Sequence, residues 1–392
     1  MSQSVKQQRS EDVDTINTEA LTDEMLLSLT TETLAEHLTL TPDNATQSED
    51  VLHILTYASV QQISLEEACH QLKDVPCPNT VRNQLNESIL KEIETVEENI
   101  NSAIASQFTR RMTKKAHKVA MDLVLIPYHG LPEEEADEIR RGKAKSGTTH
   151  FHCYATAYVV KRNKRITLAI TYVRGNDTLV GILGRLLSRL GKLKIRLRSL
   201  LLDKEFYTVA VIRFLKKNVS SFIIPVVHRG RSGGSRKLLV GKSSYQTTYT
   251  MTSHKEGKET FDVWVVVKYA KGKYGHQGRE YFAYAVYQPK CELYQIYEAY
   301  RLRFGIESSY RLMNKIRART NSRRPIYRLL LVAIAFVRQN IWVMVKWTYL
   351  SYPRRGGRLV LNRDFPLDRF CLFLSEAVKE IYGIIKSIPM LS

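Results

Sequence analysis

From about residue 108 the apolar positions fall into short runs bounded by turn residues, the spacing of strands interleaved with helices. VAMDLVLIPY (119–128) predicts a strand with one polar residue inside an apolar stretch. HFHCYATAYVV (150–160) and RITLAITYV (165–173) are β-rich and separated by a Lys/Arg/Asn turn, which predicts a hairpin. Residues 175–190 have helical spacing. IRLRSLLLD (195–203) is a strand that ends on an acid, followed by a helix (FYTVAVIRFLKKN) and another strand (SSFIIPVV). Three strands, helix, strand, helix and strand describe a mixed α/β layer.

The flanks differ. Residues 228–290 open with the loop HRGRSGGSRK and continue with Thr/Tyr/Val-rich runs between Gly/Lys turns, an antiparallel β insertion. From 291 onward the pattern is mostly helical. Its longest apolar run, LLLVAIAFV (329–337), is broken by Arg338, Gln339 and Asn340; it is too short to span a bilayer and reads as a buried helix. No membrane partner is expected. Upstream, residues 1–50 are polar and read as partly disordered. Residues 51–107 read as helical. Ser64 and Glu67 form a capping-box pattern, Pro76 and Pro78 break that helix, and Asn79 is suited to cap a second one carrying Arg82 and Asn83. Two short helices joined by a turn fit a helix-turn-helix and equally a small helical bundle.

Composition adds a partner. The 392-residue chain has a formal net charge of +20 and a pI near 9.6, which points to a polyanion, nucleic acid foremost. Residues 1–100 carry 19 acids and 5 bases, a net of −14; the other 292 carry 54 bases and 20 acids, a net of +34. The phosphate-binding surface is therefore expected beyond residue 100. Five scattered cysteines without a CxxC pair indicate reduced thiols in a cytoplasmic protein and argue against structural zinc. The polar, acidic start is neither a secretory signal nor a transit peptide.

The chain lacks a Walker A motif, GxGxxG before a helix, GxSxG and HExxH. Among the acids of the basic part, Asp122 interrupts a strand, where a buried charge is costly without a partner. Asp203 closes a strand at its C-terminal end, where α/β sheets bind their ligands. Bland alternatives are a hydrogen-bonded edge-strand residue for Asp122 and a helix N-cap for Asp203. The third acid is Glu307, the one carboxylate within YRLRFGIESSYRLMNKIRAR (300–319). On one continuous helix Tyr300, Arg303, Glu307 and Arg311 fall within roughly 80°, with Asn314 on that face and Lys315 at its edge. An intrahelical ion-pair ladder would look the same. Three carboxylates converging in a basic cleft suit two divalent ions acting on a phosphodiester.

In this order, with Asp122 in MDLVLIPYHG, Asp203 in LLLDKEFY, a β insertion and then Glu307 on a helix, the sequence resembles DDE transposases of prokaryotic insertion sequences. It is similar to the group whose signature is Tyr, two residues, Arg, three residues, Glu, six residues, Lys. Tyr300, Arg303 and Glu307 match in place; the last position holds Asn314, with Lys315 one residue late. The resemblance implies a ribonuclease H-like core over 108–345, preceded by a small all-α domain and followed by C-terminal helices over 346–392. It implies Asp122, Asp203 and Glu307 as catalytic ligands of two Mg²⁺ or Mn²⁺ ions. It further implies cleavage and strand transfer at terminal inverted repeats, double-stranded DNA as partner and target, a homo-oligomeric synaptic complex, and action at the nucleoid. Tyr300, Arg303, Arg311 and Lys315 would touch DNA near the scissile phosphate. Charge and glycine content add the loop residues Arg229, Arg231, Arg236 and Lys237, and the helical region adds Arg82 and Asn83. Two other functions fit the same residues: a DNA-binding regulator or inactive transposase relic, and a ribonuclease H-like nuclease that cuts without joining.

Overall fold

The computed structural model describes residues 20–40, 48–130, 138–161, 165–228, 233–271, 277–354, 358–361 and 364–387. Six helices come first: α1 (Asp23–Ala35), α2 (Ser48–Gln61), α3 (Leu65–Gln71), α4 (Pro78–Ser88), α5 (Ile93–Ser106) and the short α6 (Arg110–Lys114). A long alternation follows: β1 (Ala116–Pro127), β2 (Arg140–Lys145), β3 (Thr148–Val159), β4 (Thr167–Val173), α7 (Leu179–Lys192), β5 (Arg196–Leu202), α8 (Val209–Asn218) and β6 (Phe222–Pro225). Then come β7 (Tyr245–Ser253), β8 (Gly257–Lys271), β9 (Gln277–Tyr287), α9 (Ile296–Arg301), α10 (Gly305–Lys315), α11 (Pro325–Thr348), the hairpin β10 (Ser351–Arg354) and β11 (Arg358–Leu361), and α12 (Leu367–Tyr382).

The central sheet runs β4–β3–β1–β5–β6, with β3 antiparallel to β1 and β4, β5 parallel to β1, and β6 parallel to β5. That order and sense, with α7 and α8 as crossovers, is a ribonuclease H-like core, as expected. The β insertion is a meander that joins the same sheet, β9 pairing antiparallel with β6 and β8 with both β9 and β7. Two short pieces depart from the sequence reading. β2 (RRGKAK), which has no apolar alternation to betray it, pairs with the start of β3, and β10–β11 interrupt the helical C-terminus.

Period-2 alternation sends each strand's residues to two cores. Val119, Met121, Leu200 and Leu202 face α7 and α8; Ala120, Leu201 and Ile223 face Tyr158, Tyr300 and Ile306. Further along β1, Val124 and Ile126 join a third cluster built from α1–α5, α11 and α12. The N-terminal helices thus share one core with the C-terminal ones and with the sheet. Ser64 caps α3 as its sequence suggests, but α4 begins with Pro78 at its first position after Cys77, two residues earlier than a cap at Asn79.

The outer edge of β4 is closed by helix side chains. Asn101 of α5 donates to the Ile170 carbonyl (2.8 Å) and accepts from the Ile170 amide (2.9 Å). Glu97, one turn earlier, accepts from the Tyr172 amide (2.6 Å) and the Thr171 hydroxyl (2.9 Å). Asn340 of α11 does for Thr167 what Asn101 does for Ile170. Both amides copy the pattern of a neighbouring strand, so the open edge offers no template for another chain.

The same bonds explain why α11 runs straight through its polar trio. Arg338 donates to the Leu55 carbonyl (3.3 Å) and Thr56 hydroxyl (2.7 Å), and Gln339 to the Ser309 hydroxyl (2.6 Å). Burial pulls the Arg338 guanidinium down to about 9. The 24-residue helix is long and apolar enough to cross a membrane, but 83% of its apolar window is buried inside the fold, so it serves as the core helix.

His152 of β3 is buried beside Tyr128 (ring centroids 5.1 Å apart), and neither ring nitrogen has a hydrogen-bond partner among the described residues. Burial, aided by Arg328, lowers its pKa to about 4. An unfolded histidine takes up its proton near 6.5, so the stability tied to this neutral ring is complete above pH 6.5 and is lost as pH falls toward 4. The loss is about 1.4 kcal/mol per pH unit. Melting temperature should therefore drop more steeply between pH 7 and 5 in the parent than in His152→Phe; parallel curves would refute this.

Candidate active site

The last paired residues of β1 and β5 are Met121 and Leu202, so Asp122 and Asp203 follow side by side where the parallel ladder ends, Asp203 just past β5 and Asp122 midway along β1, whose second half continues beside β3. Ala120 and Leu201 are also paired and share a face, and two residues on, Asp122 and Asp203 occupy that same face. Asp122 is buried, with 9% of its surface exposed, and accepts from the Leu123 amide (3.0 Å). Asp203 is more open.

Arg303 joins them. One guanidinium nitrogen lies 2.8 Å from Asp122 Oδ2 and 3.6 Å from Asp203 Oδ1, and the residue is 2% exposed. Burial pushes the Asp122 carboxyl up to about 7; Arg303 opposes this, and Asp203 and Glu205 reinforce it. Glu205 is raised by burial and then by Asp203, against Arg140 and Arg303. Two carboxyls therefore share one guanidinium, with Glu205 adding negative charge from nearby.

Local structure aims that guanidinium. Where one helix was expected over 300–319, α9 ends at Arg301, a 3₁₀ turn covers Leu302–Phe304, and α10 starts at Gly305. The Tyr158 hydroxyl donates to the Arg303 carbonyl (3.0 Å), anchoring the turn on β3. A Cβ at Gly305 would come within 2.8 Å of the Arg165 side chain and 3.0 Å of the Tyr158 hydroxyl, so a larger residue here would have to displace Arg165 for the chain to approach the sheet this closely. Tyr300 is buried against Tyr284, and its hydroxyl donates to the Leu202 carbonyl (3.1 Å), bracing the strand end that carries Asp203. Tyr310 hydrogen-bonds Thr156 (2.8 Å) behind Asp122.

The break in the helix corrects the single-face arrangement of Tyr300, Arg303, Glu307 and Arg311. Tyr300 and Arg303, expected at the DNA, point into the protein, because a buried Asp122 demands a counter-charge and the Leu202 carbonyl takes the tyrosine hydroxyl. Glu307 is exposed in the first turn of α10 with no polar partner among the described residues. Among those residues no three His, Cys, Asp or Glu side chains lie together as a metal-binding group. Arg311 is exposed and reaches Ser308 (3.4 Å), and Lys315 pairs with Asp368 of α12 (3.0 Å).

The remaining sequence candidates are dispersed. Arg236 and Lys237 are exposed on a 3₁₀ turn (Gly234–Leu238), whereas Arg229 and Arg231 lie outside the described residues. Arg82, on α4, sits 3.6 Å from Glu66, and Asn83 beside it is exposed. Sequence reasoning passed over Glu205, although it stands two residues after Asp203, and over Tyr158 and Tyr310, which their apolar surroundings disguise as core.

Fold and site together define a ribonuclease H-like protein with paired aspartates where the parallel ladder of its two central strands ends. No family model and no curated protein matches the sequence. Among solved structures the chain is similar to the piggyBac transposase, seen by cryo-EM in a synaptic complex with hairpin DNA. The TM-score is 0.49 and the identity 12%, over 92% of this chain and 72% of that one.

Proposed function

We propose that the chain is a DNA transposase that cleaves and joins DNA at the ends of its own element. The observation that carries the reading is the pair Asp122 and Asp203 on adjacent parallel strands, both turned toward one cationic nitrogen at 2.8 and 3.6 Å. The net charge of +34 beyond residue 100 supports a polyanionic substrate.

The donor set suits a hard divalent ion: two carboxylates already share one cation between them, and Mg²⁺ needs few protein oxygens besides phosphate and water. Asp122 and Asp203 would hold Mg²⁺ or Mn²⁺, with Glu307 as the third ligand of a two-ion site. Ions bound there would activate the attacking oxygen and stabilise the leaving one. Arg303 balances the buried Asp122 and its more open neighbour Asp203, and Tyr300 fixes the strand end from which Asp203 projects. Exposed Arg311 and the basic turn at Arg236 and Lys237 suit phosphate contacts, and the acting unit would be a homo-oligomer bridging two DNA ends.

The test is incubation of the purified chain with DNA spanning the boundaries of its gene, with Mg²⁺ or Mn²⁺. Cuts at the element ends, followed by joining to a target duplex, are expected. Cutting without joining would replace the transposase with a nuclease, and binding without cutting would leave a regulator or relic.

A further inference from the structure

Between Glu307 and Asp364 the sequence carries thirteen Lys and Arg residues and no Asp or Glu. The densest part, RARTNSRR (317–324), links α10 to α11 without helix or strand. A basic linker of this kind would ordinarily be a loose, solvated charge run. Here its backbone is tied down. The Arg319 amide donates to the Ile63 carbonyl (2.9 Å), and Arg328 of α11 donates to the Ser322 carbonyl (2.6 Å). The Thr320 and Ser322 hydroxyls accept from the Ser322 and Arg324 amides (3.0 and 3.2 Å). Ala318 is buried beneath it.

What the pinned strap leaves outside is charge. Arg324 reaches across to Asn86 and the Leu90 carbonyl (3.3 Å), fastening the strap to the end of α4. Arg319 and Arg323 are exposed, and their guanidinium groups have no partner among the described residues. The strap forms one wall of a surface groove whose other wall is the α3–α4 pair, with Ser64, Arg82, Asn86 and Asn321 among its lining. Its one acid, Glu66, sits 3.6 Å from Arg82. Guanidinium, amide and hydroxyl donors on a fixed backbone are the groups that hold phosphodiester oxygens. From Glu307 to Lys315 along α10 is about 12 Å, the length of three to four base-pair steps, and the strap begins two residues further on.

We propose that Arg319 and Arg323, on a strap pinned against α3–α4, form a docking track for the phosphate backbone of the duplex that flanks the cleaved position. The inference rests on the transposase reading for its choice of duplex DNA. Neither side chain has a partner among the described residues, so their replacement should leave the melting temperature unchanged.

The test is binding of a fluorescent duplex oligonucleotide by the full chain, measured across a salt series. Arg319→Ala with Arg323→Ala should make the slope of log affinity against log salt shallower by about 1.8, two phosphate contacts' worth, while the double Lys variant keeps the parent slope. Asn321→Cys, in the groove that Arg319 lines, should be trapped by a duplex bearing a tethered mixed disulfide, the new thiolate displacing its small leaving thiol, to an extent beyond that of the parent's own five cysteines. If the parent binds duplex but the double Ala variant keeps its slope, or no trapping occurs, the strap assignment is wrong and the transposase reading stands. If the parent shows no salt-sensitive duplex binding, or prefers single-stranded RNA, both fall.

Discussion

Asp203→Asn is expected to fold, to bind DNA as tightly as the parent or more tightly, and to lose cleavage by roughly a thousandfold or more. Several kilocalories of transition-state stabilisation come from ions held by such carboxylates, and each 1.4 kcal/mol is about a factor of ten in rate. Asn keeps the shape of Asp203 but not the anionic oxygens. Asp203 is the better of the two aspartates to test, because its side chain is 31% exposed and 3.6 Å from Arg303, so little stability rides on it. Asp122 is buried in a 2.8 Å charge-assisted bond, and replacing it would mix unfolding with loss of chemistry. Losing one negative charge from a cleft that receives phosphates should help binding. Parent-like cleavage by Asp203→Asn would remove the paired aspartates from the reaction.

What could be read from sequence follows from which physical signals are local. β1, β3, β4, β5 and β6 announce themselves because apolar residues, recurring at strand spacing, end at turn residues; Asp122 and Asp203 stand out because a charge in or closing such a run needs a reason. β2 is exposed along nearly its whole length and owes its conformation to Phe151 and His150 across the ladder, so no local pattern marks it. The turn at Leu302–Phe304 is set by the Tyr158 hydroxyl and by Arg165 crowding Gly305, contacts spanning more than a hundred residues. Helical periodicity alone extended one face through Tyr300, Arg303 and Glu307. The turn instead assigns Tyr300 and Arg303 to the interior and Glu307 to the surface.

The edge of β4 is the clearest case of a device that sequence hides. Glu97, Asn101 and Asn340 are polar residues inside helices, and nothing near them in the chain suggests strand-like partners on Thr167, Ile170 and Tyr172. They also show why the helical region before residue 107 packs as part of the ribonuclease H-like fold: its last helix supplies the missing strand partner.

Glu97→Ala should therefore be the most damaging change away from the candidate active site, costing about 3–5 kcal/mol. Glu97 is 6% exposed, and besides the Tyr172 amide and Thr171 hydroxyl it pairs with Arg189 of α7, whose side chain is 17% exposed. Removing the carboxylate leaves a largely buried guanidinium without its counter-charge and a strand-edge amide without its acceptor. With unfolding entropy near 2.1 cal/mol/K per residue, that loss lowers the melting temperature by about 4–6 °C. Glu97→Leu combined with Arg189→Leu should recover much of it, because the cost lies in the orphaned charge rather than in the absent pair. Asn101→Leu should destabilise less, since it strands one amide and one carbonyl but no charge. A melting temperature for Glu97→Ala equal to the parent's would mean that solvent reaches Arg189 freely and that α5 does not hold the sheet edge.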